Sequence, residues 1–245
     1  MKIKYSILAL LGSGFLMSPL TFAELSFEQE LQQGCAKVKS DAALGKKYYD
    51  QKQYNKAVPY FERQAAWTQF CQFNEDQNST HFSDRDVELA HNNVGLTYAK
   101  LGKPLWARAW FLRSPSAKIS QYNLKQLKLP KVSNTVEGLY VRSAGYGQWS
   151  TIKISKTAKT YKLAFDGYYF GLRGLIYGPN MGSFETRMPF SANQASYRYE
   201  DCKIDLKLGQ DQYGRKIEVQ QNENNSGCGF GHNVYAGGTY YQVEN

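Results

Sequence analysis

The sequence has few of the residues from which enzymes build metal sites and acid–base sites. Only three histidines occur among its 245 residues, His81, His91 and His232, and none lies at a metal-ligand spacing. There is no Cys-x-x-Cys, no Gly-x-Ser-x-Gly and no phosphate-binding loop. These absences argue against a zinc enzyme, an α/β-hydrolase and a nucleotide-dependent enzyme, so we expect neither a metal nor a cofactor.

Two short strings look like catalytic motifs, but structural roles explain them better. Ser150-Thr-Ile-Lys153 matches the Ser-x-x-Lys of penicillin-binding enzymes, yet it lies in an alternating segment and no Lys-Thr-Gly follows it. Cys228 and His232 are four residues apart, but a disulfide-bonded sulfur cannot act as a thiolate nucleophile. The sequence therefore predicts no catalytic residue.

Long apolar runs are absent beyond the first 23 residues. Lys2 and Lys4 precede an apolar core over residues 7–20, and Thr21-Phe-Ala23 places small residues before a cleavage position. This pattern predicts a secretory signal peptide over residues 1–23. A membrane anchor is the weaker alternative, because the apolar core is short and interrupted. We therefore expect a periplasmic or secreted chain with no stable membrane span after cleavage.

Four cysteines follow this segment: Cys35, Cys71, Cys202 and Cys228. An even number in an exported chain favours disulfides. Of the three possible pairings we prefer Cys35–Cys71 and Cys202–Cys228, because each pair then lies within one compositional half of the chain. Each bridge would stabilise the fold by about 2–4 kcal/mol by constraining the unfolded chain.

The net charge of +9 is concentrated in the first half of the chain. Residues 24–135 hold 16 Lys and Arg against 11 Asp and Glu, whereas residues 136–245 hold 12 against 10. An ordinary surface with a basic bias explains this distribution, and an acidic partner would also fit it. A nucleic acid is not an expected partner, because no recognition motif occurs and export separates the chain from it.

Residues 24–127 have helical periodicity and contain an internal repeat. Two segments align at a constant offset of 50 residues, and four pairs match: Gly45 with Gly95, Tyr48 with Tyr98, Ala57 with Ala107, and Phe61 with Phe111. Over residues 40–127 this spacing of small and aromatic residues resembles the tetratricopeptide repeat, although that family repeats every 34 residues. The resemblance implies helical hairpins, a closing helix over residues 116–127, and a concave face that binds a peptide or protein.

Residues 128–135 have no periodicity and are predicted to form a linker. After them, apolar and polar residues alternate. Short strands bounded by Gly and Asn predict an antiparallel sandwich or barrel over residues 136–245. Gly138-Leu-Tyr140 and Gly238-Thr-Tyr240 share a motif, and we expect their strands to pair and close the barrel. The predicted strands cover residues 138–142, 149–155, 161–166, 168–177, 184–190, 195–200, 203–208, 216–221 and 238–243. The fold class predicted is α+β with two domains.

The β half is similar to small exported bacterial β-barrels of the calycin-like or lysozyme-inhibitor type. The resemblance rests on the opening Gly-x-Tyr, the late cysteine pair, and the ending Cys228-Gly-Phe-Gly followed by Gly238-Thr-Tyr. It covers about residues 136–245. It implies an inhibitor or immunity protein directed against a cell-wall hydrolase.

Aromatic residues are the abundant chemical resource of the β half, which contains 12 Tyr, five Phe and one Trp. Five of them form a candidate binding patch, since Tyr and Trp are enriched at interfaces: Trp149, Tyr168, Tyr169, Phe170 and Tyr177. Core packing and cross-strand pairing are the alternative explanation.

The sequence thus favours a non-enzymatic periplasmic protein-binding or adaptor protein. Its basic helical domain would dock a protein partner, and its disulfide-stapled β domain would provide a second surface. An inhibitor or immunity protein against a cell-wall hydrolase is the alternative. An envelope enzyme with an unrecognised site is the least favoured hypothesis.

Overall fold

The computed structural model describes residues 25–132, 134–222 and 225–245, so the predicted signal peptide lies outside the described residues. Among the described residues, five helices precede an eight-stranded antiparallel sheet, which confirms an α+β fold with two domains. The helices are α1 Phe27–Asp50, α2 Tyr54–Phe73, α3 Asp84–Lys100, α4 Pro104–Phe111 and α5 Lys118–Gln126. The strands are β1 Gly138–Gly145, β2 Gln148–Lys156, β3 Thr160–Tyr169, β4 Asn180–Pro189, β5 Gln194–Tyr199, β6 Cys202–Asp211, β7 Gly214–Gln221 and β8 Gly238–Glu244.

Capping boxes fix the starts of the first helix of each hairpin. The Ser26 hydroxyl accepts a hydrogen bond from Gln29 N, while the Gln29 side chain accepts one from Ser26 N. Ser83 and Asp86 make the same reciprocal pair before α3. Each box satisfies two backbone N–H groups that lack intrahelical partners.

The sequence repeat corresponds to a repeat of backbone geometry. α1 and α2 form one antiparallel hairpin, α3 and α4 form the next, and each turn contains one residue at positive φ, Lys52 at 59° and Gly102 at 72°. A backbone amide then donates to the carbonyl five residues earlier in both turns: Gln53 N to Tyr48 O at 2.9 Å, and Lys103 N to Tyr98 O at 3.0 Å. The two hairpins therefore turn in the same way, 50 residues apart.

The glycines of the repeat let the two helices of each hairpin approach closely. A Cβ atom at Gly45 would lie 2.7 Å from the Phe61 ring, and one at Gly95 would lie 2.3 Å from the Phe111 ring. Both phenylalanines are buried. The aromatic ring thus occupies the space that a side chain on the facing helix would need.

The alanines and tyrosines of the repeat also take matching places. Ala57 and Ala107 are completely buried. Each tyrosine stacks on an aromatic ring of the second helix of its own hairpin: Tyr48 on Tyr60 with ring centroids 5.5 Å apart, and Tyr98 on Trp106 at 5.9 Å.

The sheet is a nearly closed barrel with the strand order β4-β3-β2-β1-β8-β7-β6-β5. β1 and β8 pair antiparallel, as the shared Gly-x-Tyr motif predicts. Because β1 and β8 are the first and last strands of the sheet, their pairing joins the two ends of the meander as predicted, and the barrel stays open only between β4 and β5. The two edges are β4 and β5, where side chains replace backbone pairing: Phe184 stacks on Tyr197 at 4.6 Å, and Thr186 Oγ1 donates to Ser196 O at 2.7 Å.

The two Gly-x-Tyr motifs make the same local structure. Gly138 and Gly238 have φ angles of 131° and 128°, which favour glycine. Two residues later a buried tyrosine hydroxyl donates to the carbonyl four residues before it, and both distances are 2.8 Å: Tyr140 to Val136 O and Tyr240 to Ala236 O. The motif therefore anchors the start of each of the two central strands.

One predicted strand, over residues 168–177, is wrong. β3 ends at Tyr169, and after a turn the chain forms the short helix α6, Gly174–Tyr177. Leu175 and Ile176 of this helix pack against the core between α1 and α2. Packing against the helical half thus overrides the alternating pattern of this segment.

Both predicted disulfides form. Cys35–Cys71 joins α1 to α2 with a Cα–Cα distance of 5.8 Å, and Cys202–Cys228 joins the start of β6 to the loop before β8 at 4.8 Å. The second bridge belongs to the packed barrel interior. Within the described part of the chain, no helix is both long enough and apolar enough to cross a membrane.

We expect Gly95→Ala to lower the free energy of unfolding by about 1–3 kcal/mol, since the added methyl group must displace the buried Phe111 ring. Urea denaturation monitored by circular dichroism measures the change. Gly209→Ala is the matched control, because no atom lies within 4 Å of a Cβ at that position. A Gly95→Ala protein as stable as the control would show that the close approach is not required.

Candidate functional site

The barrel covers the second helices of the two hairpins. The turn between β1 and β2 inserts Tyr146 against Phe70, with ring centroids 5.0 Å apart. Trp149 of β2 meets Trp106 and Trp110 of α4 edge-on, at 6.0 and 5.3 Å. The barrel therefore covers part of α2 and of α4.

A buried arginine fastens α4 to the barrel. Arg108 is 1% exposed, and its two terminal nitrogens donate to the carbonyls of Tyr213 and Gln242. Its Cζ atom lies 5.4 Å from the centre of the Tyr241 ring. Burial lowers the pKa of Arg108 to about 10, so the side chain stays charged at neutral pH and both hydrogen bonds are charge-assisted.

A second arginine and a histidine lie beside this interface between α4 and the barrel, which we call the joint. Arg113 donates to Gln148 O at 3.1 Å, and its Cζ atom lies 4.6 Å from the centre of the Trp149 ring. His91 is 2% exposed and contacts Trp110 at a ring-centroid distance of 5.9 Å. Burial, with a smaller effect of the Arg113 charge, lowers the pKa of His91 to about 3. His91 is thus a neutral core residue at physiological pH.

The opposite face of the hairpins, which α1, α3 and α5 line, carries two open pockets. The first has a volume of about 420 Å³ and lies between α1 and α3, with Phe61 in its lining. The second has about 480 Å³ and lies between α3 and α5, with Phe111 in its lining. Leu96 lines both pockets, so they are adjacent, and we call the two together the hairpin groove.

The two pockets are equivalent positions of the repeat. Four of the six residues that α1 and α2 give to the first pocket correspond, 50 positions later, to residues of the second: Lys46 to Leu96, Tyr49 to Ala99, Asp50 to Lys100, and Phe61 to Phe111. The facing helix contributes an asparagine in both cases, Asn93 from α3 and Asn123 from α5. The repeat has therefore duplicated a pocket as well as a packing contact.

The two pockets differ in charge. At the first, Lys46 Nζ lies 2.7 Å from Asp50 Oδ2, so the local charges cancel. This pair is exposed and contributes little to stability. At the second, the charged lining residues are Lys100 and Lys128, and no acidic residue is among them. The groove thus has a neutral end and a positive end.

The five residues of the predicted aromatic patch do not come together on one exposed surface. Trp149 lies in the joint between helices and barrel, and Phe170 packs on Tyr146 at 6.2 Å. Tyr169 and Tyr177 are exposed, Tyr177 to 61%, and Tyr168 is half-buried. Tyr177 also contacts Phe27 of α1 at 6.1 Å. Three of the five thus contribute to packing between the two halves.

Sequence reasoning missed the residues that line the hairpin groove, notably Leu96, Asn93, Asn123 and Lys100. The alignment of the two repeat segments relied on identical residue types. Lys46 and Leu96 occupy equivalent positions but differ in type, as do Asp50 and Lys100. Extending the constant offset of 50 to every position would have paired Leu96 and Lys100 with Lys46 and Asp50, but not Asn93 with Asn123, which lie 30 residues apart. The repeat-packing residues lie behind the groove, and only Phe61 and Phe111 reach its lining.

No group of three or more His, Cys, Asp or Glu side chains that could hold a metal ion occurs among the described residues. Comparison with protein-family models, with curated proteins and with solved structures finds no match. The geometry of the chain is therefore the basis for assigning its function.

We expect acid to destabilise this protein through His91. Because its folded pKa of about 3 lies below the usual value of about 6.5, its contribution to stability is present above pH 6.5 and is lost as the pH falls. The loss should amount to about 2 kcal/mol between pH 7.5 and 5. Urea denaturation at both pH values, for wild type and His91→Gln, measures it.

His232→Gln is the control for this experiment, because His232 is exposed. The control should keep the wild-type difference between pH 7.5 and 5, whereas His91→Gln should lose most of it. Equal differences in all three proteins would contradict the assignment of His91 as a buried neutral base.

Proposed function

We propose that this protein is a non-enzymatic protein-binding or adaptor protein that holds a segment of its partner in the hairpin groove. The observation that carries the proposal is the duplication of one pocket on the face that the barrel leaves open. A packing repeat alone would serve stability. A repeated open pocket, lined in both copies by a phenylalanine and an asparagine, offers two anchoring positions to one bound chain.

The chemistry of the groove specifies the segment that fits. Apolar side chains would enter the two pockets beside Phe61 and Phe111, and the half-buried Asn93 would hydrogen-bond the backbone of the segment. The Lys100 end favours an acidic residue of the partner, because opposite charges steer association and fix the direction of binding. An apolar segment with acidic residues at one end is therefore the expected ligand.

The hairpin geometry supports a tetratricopeptide-like assignment for residues 40–127. The small-to-aromatic contacts and the matching turns are those that the resemblance implies. The nearly closed barrel with its late disulfide supports, in the same way, a calycin-like or lysozyme-inhibitor-like assignment for residues 136–245. Two buried disulfides are typical of proteins that fold in an oxidising compartment, which supports a periplasmic or secreted location after cleavage of a signal peptide.

Inhibition of a cell-wall hydrolase is the second candidate function, and the rim at the disulfide end of the barrel favours it. Tyr199 and Met181 of this rim are 48% and 61% exposed. The loop that contains Cys228 is held to β4 by a hydrogen bond from Gly231 N to Met181 O at 2.8 Å. The charge of the rim argues against this function. An acidic hydrolase cleft calls for a basic inhibitor loop, whereas this rim carries Glu200 and Asp201. The groove therefore supports the first function better.

We expect Ala43→Arg and Ala99→Arg each to reduce partner capture at least tenfold without loss of stability. Both residues line the groove, one in each pocket, and arginine is a good helix former. Crosslinking in intact cells followed by quantitative mass spectrometry identifies the captured protein. A synthetic peptide from its crosslinked segment should then bind the wild type in calorimetry.

Ala158→Arg, an exposed alanine in the turn between β2 and β3, is the matched control and should capture the partner as the wild type does. If both groove variants retain the wild-type partner and bind its peptide with unchanged affinity, the groove is not the docking site. Inhibition of purified murein hydrolases by wild type and groove variants alike would favour the second function instead.

A further inference from the structure

A second concave site lies where the barrel meets the first hairpin. It has a volume of about 630 Å³, and its walls come from α1, α2 and α6. This volume falls within the range of about 300–1,000 Å³ that small-molecule sites occupy. We call it the junction basin. It lies on the side of α1 away from the hairpin groove and shares no lining residue with it.

Contacts between the two halves hold the barrel wall of the basin in place. Arg173, which precedes α6, lies with its Cζ atom 4.8 Å from the centre of the Phe27 ring of α1. Leu175 and Ile176 pack against the core that contains Trp67. The basin is therefore a rigid feature of the assembled protein, and neither half forms it alone.

The polar wall of the basin is an oriented arginine. Arg63 Nη2 donates to Asp41 Oδ1 at 2.8 Å, and Arg63 Nε donates to Asp41 Oδ2 at 3.4 Å. The Tyr60 ring lies against the Arg63 guanidinium, with the ring centre 4.6 Å from Cζ. The Arg63 side chain remains 49% exposed while the Asp41 side chain is 13% exposed. Its outward N–H groups are thus fixed in direction and accessible to a ligand.

The apolar wall is the indole of Trp67, which is half-buried. A Cβ at Gly34 would lie 2.0 Å from Trp67 Cζ3, so the ring edge rests directly on the α1 backbone. Phe70 supports it from the side with an edge-to-face contact at 5.6 Å. Trp67 is therefore a fixed aromatic surface beside a fixed hydrogen-bonding group.

The charges of the basin exclude several ligand classes. Lys37 and Arg63 are balanced by Glu30 and Asp41, so neither an anion nor a cation gains a net attraction. A purely apolar ligand would remove water from Lys37, Glu30 and the outward N–H groups of Arg63 without replacing its hydrogen bonds. An uncharged compound with many hydroxyl groups and one apolar face satisfies both walls, because C–H groups can pack on the indole while hydroxyl groups bond to the polar side chains.

We propose that the junction basin binds a neutral oligosaccharide, with one sugar ring packed on Trp67 and its hydroxyl groups bonded by Arg63 and Gln33. Sugar rings present the required combination of an apolar face and a hydroxyl-bearing edge. The open side of the basin lets the rest of the saccharide extend into solvent. This site is independent of the protein-binding function assigned to the hairpin groove.

Titration of the full mature chain with the N-acetylglucosamine trimer, and in a separate arm with maltotriose, tests the proposal. We expect saturable binding in calorimetry with a Kd between about 10 μM and 1 mM for at least one probe. Of the four tryptophans, Trp106, Trp110 and Trp149 cluster in the joint. Binding should therefore change the emission of Trp67, and Trp67→Phe should abolish that change.

Gln33→Phe should fill the basin and weaken binding at least tenfold, because Gln33 is an exposed residue that lines it. Gln32→Phe is the matched control, since Gln32 is exposed on the same helix outside the lining, and it should bind as the wild type does. Thermal melts confirm that both variants fold.

Absence of binding by both probes at 10 mM, or equal binding by the Gln33 and Gln32 variants, overturns the proposal. A Trp67 emission change that appears with inorganic phosphate and not with either saccharide would overturn it in favour of an anion site. The groove variants Ala43→Arg and Ala99→Arg should keep saccharide binding, so failure of one site is distinguishable from failure of the other.

Discussion

The structure depends on the docking of one helix against one strand, and a single buried cation governs that docking. Removing the Arg108 guanidinium from water is costly, and the two barrel carbonyls that it meets, with the Tyr241 ring beside it, compensate for this cost. Because a displaced α4 would leave this charge buried without acceptors, the helix has one acceptable position on β8. That position covers α2 and α4, and it leaves α1, α3 and α5 facing solvent. The location of the groove is thus a consequence of where one charge is neutralised.

The barrel also resolves a stability problem of the helical half. Two helical hairpins bury little surface, since repeat arrays gain their stability from neighbouring repeats. Here the barrel takes the place of those neighbours, through the tryptophan cluster around Trp149 and through Tyr146. The aromatic residues that are so frequent in the β half are accordingly divided among three tasks. Some fill the barrel, some form the joint, and a few, such as Tyr199, remain exposed.

Local patterns were enough to predict the helices, the strands, both disulfides and the pairing of β1 with β8. The prediction failed where contacts from distant parts of the chain decide the outcome. Residues 168–177 alternate like a strand, yet α6 forms because Leu175 and Ile176 reach the core of the helical half. The barrel stays open between β4 and β5, where the Phe184–Tyr197 stack lies between two strands that follow each other in the chain. The hairpin groove was not predicted from the sequence, because residues at equivalent repeat positions, such as Lys46 and Leu96, differ in type. The junction basin was not predicted, because residues from both halves of the chain line it.

The strand order has a consequence for how the molecule is assembled in time. β8 is the last strand of the barrel along the chain, yet it lies at the centre of the sheet between β1 and β7. A nascent polypeptide, which grows from its N-terminus, can form both helical hairpins, and the β1 to β4 meander, from local contacts. It cannot join the two meanders, or offer Arg108 the Gln242 carbonyl, until β8 has emerged. Contacts so distant in sequence form slowly. Until β8 is in place, Trp106 and Trp110 of the helical half lack the complete barrel surface that they contact in the folded protein.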